Sequence, residues 1–178
     1  MLPSRLGPYI ALLPALACGC SLEHLYAGSG GIGGEKPRVL ESEAEACDQY
    51  GNFVVQSDPA ASGGSYMVVP EEMGCHGDQI RCSFQVDVAG SYRVKSIVAM
   101  GPAESTDDSF LVRVDGEPVL GIEYTFDGTE FHSDYVGNPD IEGELLELEL
   151  DPGPHVVTFE CREDGSKVDW IALDPVAP

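Results

Sequence analysis

From residue 38 to residue 174 the chain is a succession of short β-type runs divided by turn signals, and no stretch carries a convincing helical period. The runs lie at residues 39–45, 53–56, 66–69, 80–88, 92–100, 110–114, 119–124, 145–150, 156–161 and 168–173. Many alternate apolar and polar residues. A period of two puts every second side chain on one face, so each such run can form a half-buried strand. Between them stand Ala89-Gly90-Ser91, Asp115-Gly116, Asp127-Gly128 and Pro152-Gly153, all turn formers. Short strands at this spacing predict an all-β chain folded as an antiparallel β-sandwich. The clearest hairpin turns at Asp115-Gly116, between Val114 and Val119. The last segment, with Val157, Phe159 and Cys161 on one face, a turn at Glu163-Asp164-Gly165 and a strand at 168–173, also reads as a hairpin.

Charge excludes some partners. Nine Lys and Arg face 31 Asp and Glu, a formal net charge of -22. Such a surface repels phosphate backbones and anionic lipid heads, so nucleic acid is not expected as a partner. Acidic groups gathered at loop ends can instead hold a hard cation such as calcium.

The N-terminus reads as an export signal. Arg5 precedes a short apolar core from Ile10 to Leu16, too short to span a bilayer as a permanent helix. Ala15-Leu16-Ala17 before Cys18 resembles a bacterial lipoprotein signal, with Cys18 (or Cys20) as the lipidated residue. The expected organisation is a signal over 1–20, a Gly/Ser-rich tether over 21–37 and a β-sandwich over 38–176. The expected location is outside the cytoplasm, at the cell surface or in the periplasm, with membrane attachment through the lipid alone. The remaining cysteines, Cys47, Cys75, Cys82 and Cys161, are even in number. In an exported chain they predict two disulfides, with three pairings open.

Glu41, Glu43 and Glu45 alternate with Ser42 and Ala44, so the first run carries an acidic face. That face is a solvated edge or a grip on a cation.

Several motifs, taken in order, resemble the carbohydrate-binding modules of families six and thirty-five, which have a jelly-roll β-sandwich fold. They are Glu43-Ala44-Glu45, Ala61-Ser62-Gly63-Gly64-Ser65-Tyr66, the run FQVDVAGSY ending at Tyr92, Asp107-Asp108-Ser109-Phe110 leading to Val114-Asp115-Gly116, and the closing segment from Arg162. The resemblance covers residues 39–174. It implies a structural calcium held by Glu43, Glu45 and Asp174. It also implies a sugar site with an aromatic after the Gly-Gly segment, here Tyr66. A second aromatic is expected from Tyr124, Phe126, Phe131 or Tyr135. Lys167 stands where the family often has asparagine, and no tryptophan occupies the aromatic loop.

No Gly-x-Ser-x-Gly motif is present and no carboxylates gather into an evident cleft, so the chain reads as a binding protein and not an enzyme. The expected function is non-catalytic binding of a polysaccharide or glycan, with a larger cell-surface enzyme as a further partner. The competing reading is an interaction or structural lipoprotein that keeps the fold without binding sugar.

Overall fold

A computed structural model describes residues 36–138 and 141–177 of the protein. The signal, Cys18, Cys20 and nearly all of the tether lie outside these residues.

Among the described residues, twelve strands form two antiparallel sheets. They are β1 (Leu40–Glu43), β2 (Asp48–Tyr50), β3 (Val54–Ser57), β4 (Ser65–Val68), β5 (Gln79–Val86), β6 (Gly90–Ala99), β7 (Ser109–Val114), β8 (Glu117–Thr125), β9 (His132–Tyr135), β10 (Leu148–Leu150), β11 (Gly153–Cys161) and β12 (Lys167–Pro175). The first sheet has the order β10-β6-β12-β4-β3, with β1 also on β12 and β9 also on β6. The second has the order β2-β5-β11-β7-β8. The only helical elements among the described residues are three short 3-10 turns.

Alternation decides which side chains face inward. In β5, Ile80, Cys82, Phe84 and Val86 are buried while Arg81, Ser83 and Gln85 are exposed. The inward faces of β11 and β7 extend this row and those of β6 and β12 meet it from the other sheet, and apolar burial on this scale dominates the stability of a sandwich. Phe110 packs between Phe126 and Phe159 at ring-centroid distances of 5.7 and 5.6 Å.

The Asp115-Gly116 hairpin forms as read. Both residues have positive φ, 55° and 85°, and Glu117 pairs with Val114. The closing segment does not form the expected hairpin. β11 lies in the second sheet and β12 in the first, so Val157 and Phe159 face Val168, Ile171 and Leu173 across the core. Alternation specifies a buried face but not which edge a strand pairs along. The strands β2 and β9 fall outside the β-type runs of the sequence, because Asp48-Gln49-Tyr50 and His132-Ser133-Asp134-Tyr135 are polar and short. Their pairing with β5 and β6 makes them strands. The run at 39–45 ends as a strand at Glu43, and Ala44–Ala46 turns as a 3-10 helix that buries Ala44.

Two disulfides cross the sandwich, Cys47–Cys82 and Cys75–Cys161. The first ties the turn after β1 to β5; the second ties the β4–β5 loop to the end of β11.

Candidate functional site

The outer face of the first sheet carries an open pocket of about 490 Å³. Met67 of β4 and Val168 of β12 face the core, so Tyr66, Val68 and Lys167 face outward. Lys167 sits directly opposite Val68 on one side and Ala99 on the other. Phe131, just before β9, packs on the Tyr66 ring with centroids 5.2 Å apart and planes inclined by 57°. The Lys167 ammonium lies 5.8 Å from the centre of the same ring. The Tyr66 hydroxyl donates to Gln56 Oε1 at 2.8 Å, and burial together with the nearby Asp58 carboxylate holds that hydroxyl protonated above its ordinary range. No acidic group pairs with Lys167 among the described residues, so its charge is available to a ligand.

Glu71 lines the pocket, and the buried Asp107 stands beside it. Glu71 shares a hydrogen bond with Asp107, which raises the Glu71 carboxyl to about 7, with smaller contributions from burial and from the charges of Asp107, Asp164 and Glu72. Asp107 is itself buried and accepts from the backbone N–H of Ala103 at 2.8 Å. The two carboxylates meet over Gly165, and only a residue without a side chain leaves room there: a Cβ at 165 would lie 2.6 Å from Asp107 Oδ2 and 2.7 Å from Glu71 Oε1.

The expected aromatics divide. Tyr66 lines the pocket, and Phe131 packs on its ring. Tyr124 and Phe126 do not: they are 2% and 3% exposed and belong to the core. β8 alternates, and the inward parity of Ile122 continues through Tyr124 to Phe126, one residue past its end. The Tyr124 hydroxyl is satisfied by Ser96 at 3.0 Å and Asp134 at 3.1 Å. Tyr135 stands elsewhere on the outer face, beside Lys95 and with its hydroxyl donating to Asp174.

The carboxylates rearrange more. Glu43, Glu45 and Asp169 each present an oxygen within 4.8 Å of the others. Asp169, and not Asp174, is the aspartate of this cluster; Asp174 lies opposite Arg93 and is engaged by Tyr135. A β-bulge is the cause. Val168 pairs with Val98 and Trp170 with Ile97, so Asp169 is the extra residue between adjacent rungs. It is fully buried and turned toward the Ser62–Gly64 turn, where the Ser62 N–H donates to its Oδ2 at 2.7 Å. Ser62 and Ser65 hydroxyls donate to Glu43 Oε1 at 2.9 Å and Glu45 Oε1 at 2.6 Å. Glu43 Oε2, Glu45 Oε2 and Asp169 Oδ1 are buried without any partner. Burial pushes the Asp169 carboxyl up to about 6; the Ser62 hydrogen bond opposes this, and the two glutamate charges add to it. An all-oxygen set with orphaned buried acceptors fits a hard divalent cation. The sequence does carry a signal for Asp169: Val168 and Ile171 are both core residues three apart, a break in alternation that marks a bulge.

No family model matches the chain and no curated protein matches it. Solved structures do. The Podospora anserina GH26-CBM35 β-(1,4)-mannanase is similar at a TM-score of 0.62 and 19% identity, over 80% of this chain and 29% of that one. A family 35 carbohydrate-binding module from Clostridium thermocellum is similar at 0.57 and 16%, over 78% of this chain and 98% of the module. A carbohydrate-binding module from Cellvibrio mixtus lichenase 5A, in complex with cellotriose, is similar at 0.56 and 14%, over 77% and 97%. The fold is therefore the β-sandwich of carbohydrate-binding modules, and the chain spans less than a third of the mannanase.

Proposed function

We propose that this protein is a non-catalytic carbohydrate-binding module whose ligand is a polysaccharide or surface glycan. The observation that carries the reading is the open pocket lined by Tyr66 and Lys167, with Phe131 packed against the Tyr66 ring. A sugar ring has apolar C–H faces and a polar rim, so it suits an aromatic surface flanked by a few fixed polar groups. Tyr66 is 7% exposed and packed against Phe131, and the part of its ring that reaches the pocket offers that surface. Lys167 and the Gln56 amide donate to hydroxyls, and Glu71 accepts from them. A shallow site of this size buries few ligand atoms, so affinity per site is modest. The structural likeness to modules of families 6 and 35 supports the reading.

Calcium is the second part of the proposal. Glu43, Glu45 and Asp169 would hold it, and bound there it would neutralise three crowded carboxylates and tie β1, the Ser62–Gly64 turn and β12 together. The third part is export on a lipid anchor at Cys18 (or Cys20), supported by the two disulfides of the sandwich, which persist in oxidising compartments. Attachment to a larger cell-surface enzyme is consistent with the mannanase likeness.

The test is a glycan array and an insoluble-polysaccharide pull-down with the folded protein, in calcium and in EDTA. Specific binding that falls at least about tenfold in Tyr66→Ala, with thermal unfolding still cooperative, supports the reading. A folded protein that binds no glycan would make an interaction module the better account.

A further inference from the structure

On another side of the sandwich, a groove of about 540 Å³ opens between the β7–β8 hairpin and β10. Its floor is aliphatic: Val114, Ile122, Leu146, Leu148 and Leu150, with Pro118 at the lip. No aromatic ring lines it, so it lacks the surface on which a sugar stacks. Beside it β8 leaves its ladder. Glu117 pairs with Val114 and Ile122 with Val112, so residues 118–121 stand out opposite a single residue of β7. That protrusion carries Val119 and Leu120, 72% and 84% exposed, the two most exposed of the large apolar side chains among the described residues. It is held in place, since Arg113 Nε donates to the Val119 carbonyl at 3.1 Å. β8 and β10 each end their sheet on this side.

The charged residues that line the groove are all acidic. Asp115, Glu117 and Glu149 line the groove. The flanking segments 115–123 and 141–151 hold Asp115, Glu117, Glu123, Glu142, Glu144, Glu147, Glu149 and Asp151, and no Lys or Arg; of these, Asp115 pairs with His155, Glu123 with Arg162 and Glu147 with Arg93. An apolar floor bounded by carboxylates is complementary to a segment that mixes aliphatic and cationic side chains. It is not complementary to a second copy of this chain, which would bring the same carboxylates and a further charge of -22 to the contact.

We infer that this groove and the Val119-Leu120 protrusion are a docking surface for a cationic, aliphatic segment of a partner protein, separate from the Tyr66 pocket. The protrusion contributes apolar contact, and the rim sets the partner's charge and orientation.

The experiment uses the full chain at 0.15 M salt and two labelled peptides, acetyl-KVKVKVK-amide and its charge-matched control acetyl-KGKGKGK-amide, followed by fluorescence anisotropy. The first should bind saturably and at least about tenfold more tightly than the second, and the Val119→Ser/Leu120→Ser double variant should remove that preference. Both side chains are exposed, so the double variant should keep the wild-type Tm. Equal binding of the two peptides would reduce the effect to bulk charge and overturn the proposal. So would an unchanged preference in the double variant. Sedimentation runs alongside: a concentration-dependent dimer abolished by the double variant would give the surface to a second copy instead.

Discussion

Asp169 shows how much one residue's displacement can decide. Buried carboxylates are stable only when paired, hydrogen-bonded or bound to a metal. Asp169 Oδ2 has the Ser62 amide, while Oδ1 has nothing and two glutamates stand close by. If calcium completes the shell, a free concentration 100-fold above its Kd should add about 2.7 kcal/mol of stability, several degrees in Tm. EDTA should lower the wild-type Tm by that amount. Asp169→Asn should remove the response to calcium and Asp174→Asn should keep it. A wild-type Tm indifferent to both calcium and EDTA would sink the metal proposal.

The loops between strands form the pocket wall, and one turn there depends on glycine. Gly165 has φ of 86° and lies under the Glu71–Asp107 pair. Gly165→Ala meets both a backbone conformation costly for L-residues and two carboxylate oxygens, so it should destabilise by about 1–3 kcal/mol in denaturant unfolding. The acid pair itself predicts a pH response. The Glu71 carboxyl titrates near 7 in the folded protein against 4.5 ordinarily. The folded state thus keeps a proton that the unfolded chain gives up between those values. Its contribution is fully present below about 4.5 and is lost as pH rises through 7. Glutamine keeps a donor for Asp107 without titrating, so Glu71→Gln should show a smaller fall in Tm between pH 5 and pH 8 than the wild type. Parallel Tm profiles for the two proteins would show that the pair does not couple the β4–β5 and β6–β7 loops.

Across the whole molecule, the strands that meet are far apart in sequence. β1 pairs with β12, and β4 with β12, so the sandwich closes only when its ends come together. The disulfides act at this scale, with sequence separations of 35 and 86 residues. Loop-closure entropy puts each at about 4–5 kcal/mol through the unfolded state. Reduction should lower the urea midpoint sharply, and Cys75→Ala/Cys161→Ala should cost at least as much as Cys47→Ala/Cys82→Ala. The reverse order would point to native-state contacts and not to chain entropy.

What the sequence determined by itself was the class of fold, the inward residues of most strands and the hairpin at Asp115-Gly116. Those follow from local alternation and from turn residues that tolerate positive φ, both written in neighbouring positions. Tyr66, Phe131 and Lys167 were also legible, through family motifs and residue type, though not their contact with one another. Only the tertiary structure decided the rest. It sent β11 and β12 to opposite sheets, because an alternating strand does not encode its pairing edge. It made strands of the polar segments β2 and β9, whose partners supply the order. It buried Tyr124 and Phe126, since parity along β8 outweighs their appeal as ring surfaces. It also put Asp169 beside Glu43 and Glu45, because a bulge is a mismatch between two strands and becomes definite only when both are in place.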